Sequence, residues 1–308
     1  VKLSVVIPTY NEEENIEETI LELKSAIQDL SEIKDYEILV IDDHSDDNTP
    51  GVVSRIANCN LQCIRLSRRC GSHIALRAGI KMANGDFVLC ISADGQDDPK
   101  ALGKMVKLHQ EGHHIIWALR NERNDEGWLS KQGAQFFYKL LGWLVDHQNK
   151  EIDLSRADFY LLDKIVVNSI NSCPEINTSL FGLISWMGFK QSSVNYERRK
   201  RRSGKSKWSL QSRFNLAKDW IVAFSGLPLK LMAFLGLFIA FLGACFAVHV
   251  VFNYFLGNPV QGWSSLMMTI LILGGTQMAL LGVIGEYLWR NFDESRRRPL
   301  YFIEKHTK

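Results

Sequence analysis

Asp86–Pro99 reads DFVLCISADGQDDP, and this stretch decides the fold. Its first half is a short continuous apolar run, the pattern of a strand buried on both faces. Its second half crowds Asp94, Gln96, Asp97 and Asp98 into a turn that ends at Pro99, a residue suited to the start of a helix. Open α/β sheets bind ligands in loops at the carboxyl ends of such strands. Asp94 and Gln96 offer two oxygen ligands of the hard kind that suits Mg²⁺ or Mn²⁺. Ser92 stands where a carboxylate would complete the pair Asp-x-Asp, so one negative ligand is missing.

The flanking sequence repeats this alternation. Leu3–Ile7, YEILVI, LQCIRL and HHIIWAL read as strands. NEEENIEETILELKSAI, DDNTPGVVSRIA, GSHIALRAGIKMA and PKALGKMVKLHQ read as the helices between them. Short apolar strands alternating with helices predict a parallel sheet covered on both faces. Right-handed crossovers then bring the loops PTYNEE, DDHSDD, SRRCGS and SADGQDD to one rim. Each loop alone is ordinary helix-capping and turn chemistry, but four together describe a polar binding edge. No GxGxxG follows the first strand and no GxxxxGK[ST] occurs, which excludes a dinucleotide fingerprint and a P-loop. Asp42 and Asp43 close the second strand, where an acidic residue commonly holds a ribose or base edge. The residues thus point to a sugar nucleotide whose diphosphate is held by a metal.

The chain has 308 residues and a formal net charge of +2, which gives no global basic field for nucleic acid. Its charges are segregated. Leu231–Leu256 and Trp263–Trp289 are almost uncharged and long enough to cross a bilayer, with Trp263, Tyr287 and Trp289 near their ends. Lys230 precedes the first span and RNFDESRRRP follows the second, so the positive-inside rule places the large domain in the cytoplasm. Glu286, near Arg290, reads as part of an interfacial ion pair. FNLAKDWIVAFSGL suggests a helix lying at the membrane surface. SKQGAQFFYKLLGWLV reads as an amphipathic helix, ADFYLLDKIVVNSI as a strand entering a helix, and YERRKRRSGKSKWS as a basic loop. Six cysteines without CxxC spacing fit reduced thiols of a cytosolic domain. No signal peptide is expected, because KLSVVIPTY begins at once as a strand.

The blocks VVIPTYNEEENI, IDDHSDDNT, SADGQDDP, LRNER, ADFYLLDK, FGLISWMGFKQSSVNYERRKRRSGKSKW and GVIGEYLWRNFDESRRRPLYFIEK occur in this order. Together they resemble the family 2 glycosyltransferases that act on polyprenyl phosphates, the group of dolichol-phosphate mannose synthase and the bactoprenol glucosyltransferases. The resemblance implies a GT-A fold, a Rossmann-like mixed sheet, as a cytoplasmic catalytic domain over residues 1–209. A juxtamembrane amphipathic helix at 210–230, two transmembrane helices within 231–289 and a cytoplasmic tail at 290–308 would follow. It implies inverting transfer from a nucleotide-sugar, UDP by likeness, to undecaprenyl phosphate at the bacterial inner membrane, by a tetramer. Pro8, Tyr10, Glu12, Asp42 and Ser92 would then lie at the nucleotide, and Asp94 and Gln96 at a Mg²⁺ or Mn²⁺ ion. Arg120, Arg123, Ser130, Arg198, Arg201, Ser206 and Lys207 would meet the phosphates, with Asp94, Arg120, Arg123, Arg201 and Lys207 central to catalysis. Three departures stand out: Ser92 for the first aspartate, Gly95 for a leucine, and Tyr160 for the arginine of a DFR block. Two rival readings remain open. A processive synthase would need a QxxRW motif and more spans, and an inactive GT-A scaffold would serve a partner transferase or flippase.

Overall fold

Buried positions alternate between two cores along the strands, because successive side chains of a strand point to opposite faces. A computed structural model of the chain describes residues 1–56, 59–121, 156–175, 178–199, 227–256 and 262–307. Its described strands are β1 (Lys2–Thr9), β2 (Asp35–Asp42), β3 (Leu61–Leu66), β4 (Phe87–Cys90), β5 (Ile115–Arg120), β6 (Ala157–Asp163), β7 (Gln191–Tyr196) and β8 (Ile303–Thr307). The described α-helices, in chain order, are α1 (Ile16–Gln28), α2 (Thr49–Ile56), α3 (Ser72–Met82), α4 (Leu102–Gln110), α5 (Lys164–Ser172), α6 (Leu180–Trp186), α7 (Leu227–Phe255) and α8 (Trp263–Ser295). The strands form one sheet in the order β7-β5-β6-β4-β1-β2-β3-β8.

One face of the sheet packs Val5, Ile7, Val40 and Leu89 against α1, α2 and α4, through Ile20, Leu23, Val53 and Met105. The other packs Val6, Ile41, Ile64 and Val88 against α3, α5 and α6, through Ala78, Val166 and Ile184. Gly79 lets α3 lie close to the sheet: a Cβ there would sit 2.2 Å from a methyl of Val6. The helical blocks read from sequence among the described residues therefore land where expected, on both faces of the sheet.

The sheet is mixed, as the family resemblance implies, and not the parallel sheet that alternation alone predicts. β1 to β4 are mutually parallel, and β5 is parallel to β7. β6 runs antiparallel between β4 and β5, and β8 runs antiparallel to β3. It follows that β1, β2, β3, β4, β5 and β7 all end on one edge, where β6 begins. Residues 290–308 are likewise not simply a tail. α8 continues to Ser295, and Ile303–Thr307 returns to the sheet as its edge strand. The physical reason is that Ile303–Thr307 supplies backbone donors and acceptors that extend the ladder, whatever its side chains are.

α7 and α8 are long and apolar enough to cross a membrane, and Phe234, Leu237, Phe252 and Met268 on them are exposed. The 33 residues of α8 extend about 50 Å at 1.5 Å per residue, longer than the ~30 Å hydrocarbon layer. Its polar end carries the expected ion pair, Arg290 Nε to Glu286 Oε1 at 3.3 Å. The sequence-expected helices at SKQGAQFFYKLLGWLV and FNLAKDWIVAFSGL, and the basic loop beyond Lys200, lie outside the described residues.

Candidate active site

The loop after β4 is built around Ser92. Its Oγ lies 3.0 Å from Asp94 Oδ1 and 2.5 Å from Asp97 Oδ2, and its amide donates to Asp97 Oδ2. Asp94 Oδ1 also accepts from the amide of Gln96. Between them Gly95 takes φ +70°, the left-handed region that a leucine would strain to enter. The glycine that departs from the family pattern thus suits the turn that this chain makes.

Asp97, one of three aspartates in the turn, is 4% exposed and lies beneath the loop. Burial, with the nearby charge of Asp158, pushes its carboxyl up to about 6. Tyr196, the last residue of β7, places its hydroxyl 3.0 Å from Asp97 Oδ1 and 2.7 Å from Asp158 Oδ2. Burial and these two carboxylates raise the phenol above its ordinary range. Asp158 lies at the start of β6, on the shared edge, because β6 enters the sheet in the opposite direction to its neighbours. Arg120 from the end of β5 approaches Asp158 Oδ1 at 3.5 Å, and Arg198 just after β7 approaches it at 3.7 Å.

The first basic residues after β7 are fastened onto the Asp94 loop. Arg198 Nη2 donates to Gln96 Oε1 at 2.8 Å, and the Arg199 amide donates to the Gln96 carbonyl at 2.9 Å. Arg199 also reaches Glu22 on α1 and Asp98, each at 2.8 Å. Arg198 Nε is buried and has no hydrogen-bond partner among the described residues. A guanidinium donor withheld from water without an acceptor is costly unless an anion arrives to take it.

The rim after β1 and β2 forms a second cluster. Tyr10 donates to Asp46 Oδ2 at 3.0 Å, and the Arg69 guanidinium stacks 3.9 Å from its ring centre. The bond to Asp46 raises the Tyr10 phenol. Asp43 accepts from the amides of Cys70 and Gly71 at 2.6 and 2.8 Å. Pro8 is half-buried beside Ile41 in the β1–β2 register. Two residues expected at the nucleoside are enclosed in this structure. The Asp42 side chain is 0% exposed, with Oδ2 taken by Arg65 at 2.6 Å and Oδ1 by the amide of Ser45. Glu12 is buried as well and accepts from Asn15 Nδ2 at 2.7 Å. Both carboxylates organise the loops, leaving Tyr10 and Asp46 as the more accessible groups. Gln96, expected at a metal, instead has its Oε1 on Arg198. Tyr160, which replaces the family's arginine, is a buried core ring packed on Trp117 and Phe181.

The structure therefore brings together Ser92, Asp94, Gln96, Arg120 and Arg198 of the expected set. Arg123, Ser130, Arg201, Ser206 and Lys207 lie outside the described residues. Sequence does not single out Asp97, Asp158, Tyr196 or Arg199 as site residues.

Burial of Asp97 has a measurable consequence. Its carboxyl holds a proton in the folded state that the unfolded chain releases, so stability falls as pH rises from about 4 to about 6. A shift of about two pKa units corresponds to about 3 kcal/mol. In metal-free protein Asp97→Asn is expected to raise the melting temperature at pH 7.5 and to leave it nearly unchanged at pH 4. An Asn variant whose advantage does not grow with pH would contradict this.

A mixed sheet covered by helices on both faces, with its polar loops on one edge, is the fold of GT-A glycosyltransferases. A crystal structure of glucosyl-3-phosphoglycerate synthase from Mycobacterium tuberculosis, in complex with Mn²⁺, UDP and phosphoglyceric acid, shares this fold. Its TM-score is 0.50 at 18% identity, covering 72% of this chain and 76% of that one. The family model of glycosyl transferase family 2 matches residues 4–167, and the chain belongs to that family. It is 38% identical to an uncharacterized glycosyltransferase of Synechocystis, over 98% of this chain and 95% of the relative. It is 34% identical to the prophage bactoprenol glucosyl transferase homolog of Escherichia coli K12, over the full length of both. It is also 34% identical to the bactoprenol glucosyl transferase of Shigella phage SfV, over 98% of each.

Proposed function

We propose that this glycosyltransferase moves a sugar from a UDP-sugar to a polyprenyl phosphate of the undecaprenyl type, with inversion, on the cytoplasmic face of the bacterial inner membrane. The observation that carries the reading is the buried, unpartnered Nε of Arg198, beside the Asp94 loop and Arg120. It marks a place for an anion. The names of the bactoprenol glucosyl transferase relatives and the two long apolar helices support a lipid-borne acceptor.

The chemistry asks mainly for positive charge. A phosphate monoester has a second pKa near 6, so at pH 7 it is already a nucleophile and needs no base. Its oxygen attacks the anomeric carbon as the bond from that carbon to the donor diphosphate breaks, and the nucleoside diphosphate leaves with the electron pair. Repulsion opposes the approach: two unit charges about 5 Å apart cost about 3 kcal/mol at an effective dielectric of about 20. Arg120 and Arg198 lie where they can offset it, with Arg123, Ser130, Arg201, Ser206 and Lys207 proposed to complete the phosphate site. Tyr10, Pro8 and Asp46 are proposed to face the nucleoside, with Glu12, Asp42 and Ser92 shaping the walls.

The donor set is oxygen-rich and fits a hard divalent cation in part. Asp94 would hold Mg²⁺ or Mn²⁺, while Gln96 must first yield its Oε1 from Arg198. Such an ion would supply neutralising charge to the diphosphate. Ser92 tunes this: its hydroxyl stands between Asp94 and Asp97, where a third carboxylate would add repulsion. Ser92→Asp is therefore expected to lower the melting temperature of metal-free protein and to recover it with Mn²⁺. The Mn²⁺ concentration for half-maximal activity should fall about tenfold, the equivalent of about 1.4 kcal/mol. Unchanged metal dependence and stability would refute this role for Ser92.

The function itself is tested with membranes holding the protein, undecaprenyl phosphate and labelled UDP-glucose. A labelled lipid that releases sugar on mild acid is expected. Labelled polymer would point to a processive synthase. No product across a panel of sugar nucleotides would favour a scaffold.

A further inference from the structure

We propose that the C-terminal strand β8 belongs to the donor-site apparatus, with Glu304 as a positioning residue that acts through Arg65 on the loop after β2. The inference rests on the donor reading above for the identity of that loop.

The connection is continuous. Glu304 Oε2 accepts from Arg65 Nε at 3.1 Å. The other end of the same guanidinium donates from Nη1 to Asp42 Oδ2 at 2.6 Å, and from Nη1 and Nη2 to the Ser45 carbonyl at 3.2 and 3.1 Å. Asp42 Oδ1 in turn receives the Ser45 amide, and Ser45 Oγ receives the Asn11 amide. Asp46, next along, accepts from Tyr10 and sends its amide to Asn11 Oδ1. Glu304 also lies 3.5 Å from Nδ1 of His44, a residue held at φ +59°.

A planar guanidinium has a fixed fork, so anchoring Nε sets the direction of both Nη groups. Asp42 is fully enclosed and cannot turn to another partner. Arg65 therefore converts the position of the edge strand into the shape of the loop that carries Asp43, Ser45 and Asp46. β8 reaches its place only from the end of α8, whose apolar length is suited to a membrane. The strand is held by its ladder to β3, by Ser67 donating to the Phe302 carbonyl, and by His306 against Gln62. Seating of that helix and order in the donor loop are thereby linked. A pair at the surface, as Glu304 is half-exposed, contributes modestly to global stability. Its effect is local.

The test uses the full chain in nanodiscs. Hydrogen exchange is followed in peptides covering 42–49, and UDP binding is measured with Mn²⁺ present. Glu304→Ala is expected to speed exchange in that segment about fivefold and to weaken UDP binding by a similar factor, equivalent to a pair worth about 1 kcal/mol. The KM for sugar nucleotide should rise with little change in kcat. Glu304→Gln, which keeps an acceptor for Arg65 Nε, should recover part of the loss. His306→Ala removes a contact of the same strand but leaves the ladder and the Glu304–Arg65 bond in place, so it should speed exchange there much less than Glu304→Ala. Unaltered exchange in Glu304→Ala, or equal loosening in His306→Ala, overturns the positioning inference. A loosened loop with unchanged UDP binding, or no UDP binding by the parent protein, overturns the donor assignment on which it rests.

Discussion

Arg198→Ala is expected to cut sugar transfer to the proposed lipid phosphate by about 10²- to 10³-fold, the loss typical when a preorganised donor to developing charge is removed. Arg198 is the described group best placed for that role. It bridges the Asp94 loop through Gln96 and the Asp158 hub through Nη1, while its buried Nε keeps a donor for which the described residues offer no acceptor. Alanine would release the Gln96 side chain and leave Arg120 without its neighbour at the proposed phosphate site. Arg198→Lys restores charge but not the fork, so it should recover only a small part. The measurement is single-turnover transfer of labelled sugar by purified enzyme at saturating donor, with melting temperature as a check on folding. A loss below about fivefold, less than about 1 kcal/mol of transition-state energy, would remove Arg198 from the proposed phosphate site.

What sequence made legible was the part of the structure governed by local periodicity. The runs around Val5, Leu39 and Val88 are apolar on both faces and bounded by turn residues, the pattern of central strands, and right-handed crossovers bring the loops at their ends to one edge. The orientation of β6 was not available that way, since a buried strand reads the same in either direction. β8 was missed for a different reason. IEKHT has no apolar pattern and its residues are mostly exposed, so only its backbone pairing with β3 marks it as a strand. Burial of charge was the hardest to read. Asp42 and Asp46 look alike in DDHSDD, yet one is sealed by Arg65 and the other is exposed. Asp97 looks like Asp98, but Tyr196, distant in sequence, closes over the first, and Arg199 pairs with the second. The arginine partners come from β3 and from beyond β7, and no spacing within the loops reveals them. Gly95 shows the opposite case: its backbone angle explains a substitution that sequence could only record as a departure.

Asp158→Asn is expected to lower kcat by about 10²-fold while changing the KM for donor far less, because the aspartate faces the two arginines proposed for the phosphates. Its Oδ1 faces Arg120 at 3.5 Å and Arg198 at 3.7 Å, and its Oδ2 receives Tyr196 at 2.7 Å. The side chain is 14% exposed, so solvent replaces little of the lost charge. Removing one partner of a buried ion pair costs about 3–5 kcal/mol because the remaining charge is stranded. Here two guanidiniums would share that cost, and repulsion between them would drive them apart before the phosphates arrive. Some of the penalty should appear as a lower melting temperature without ligand, and less of it when UDP and Mn²⁺ are present. Tyr196→Phe separates geometry from charge. It removes the hydroxyl that fixes Asp158 but leaves the carboxylate, so its loss should be about tenfold, one hydrogen bond to a charged group. If Asp158→Asn retained full kcat, the arginines would be held by something other than this carboxylate. If Tyr196→Phe were the more damaging of the two, the phenol would be acting on substrate directly, and the hub would have to be redrawn around it.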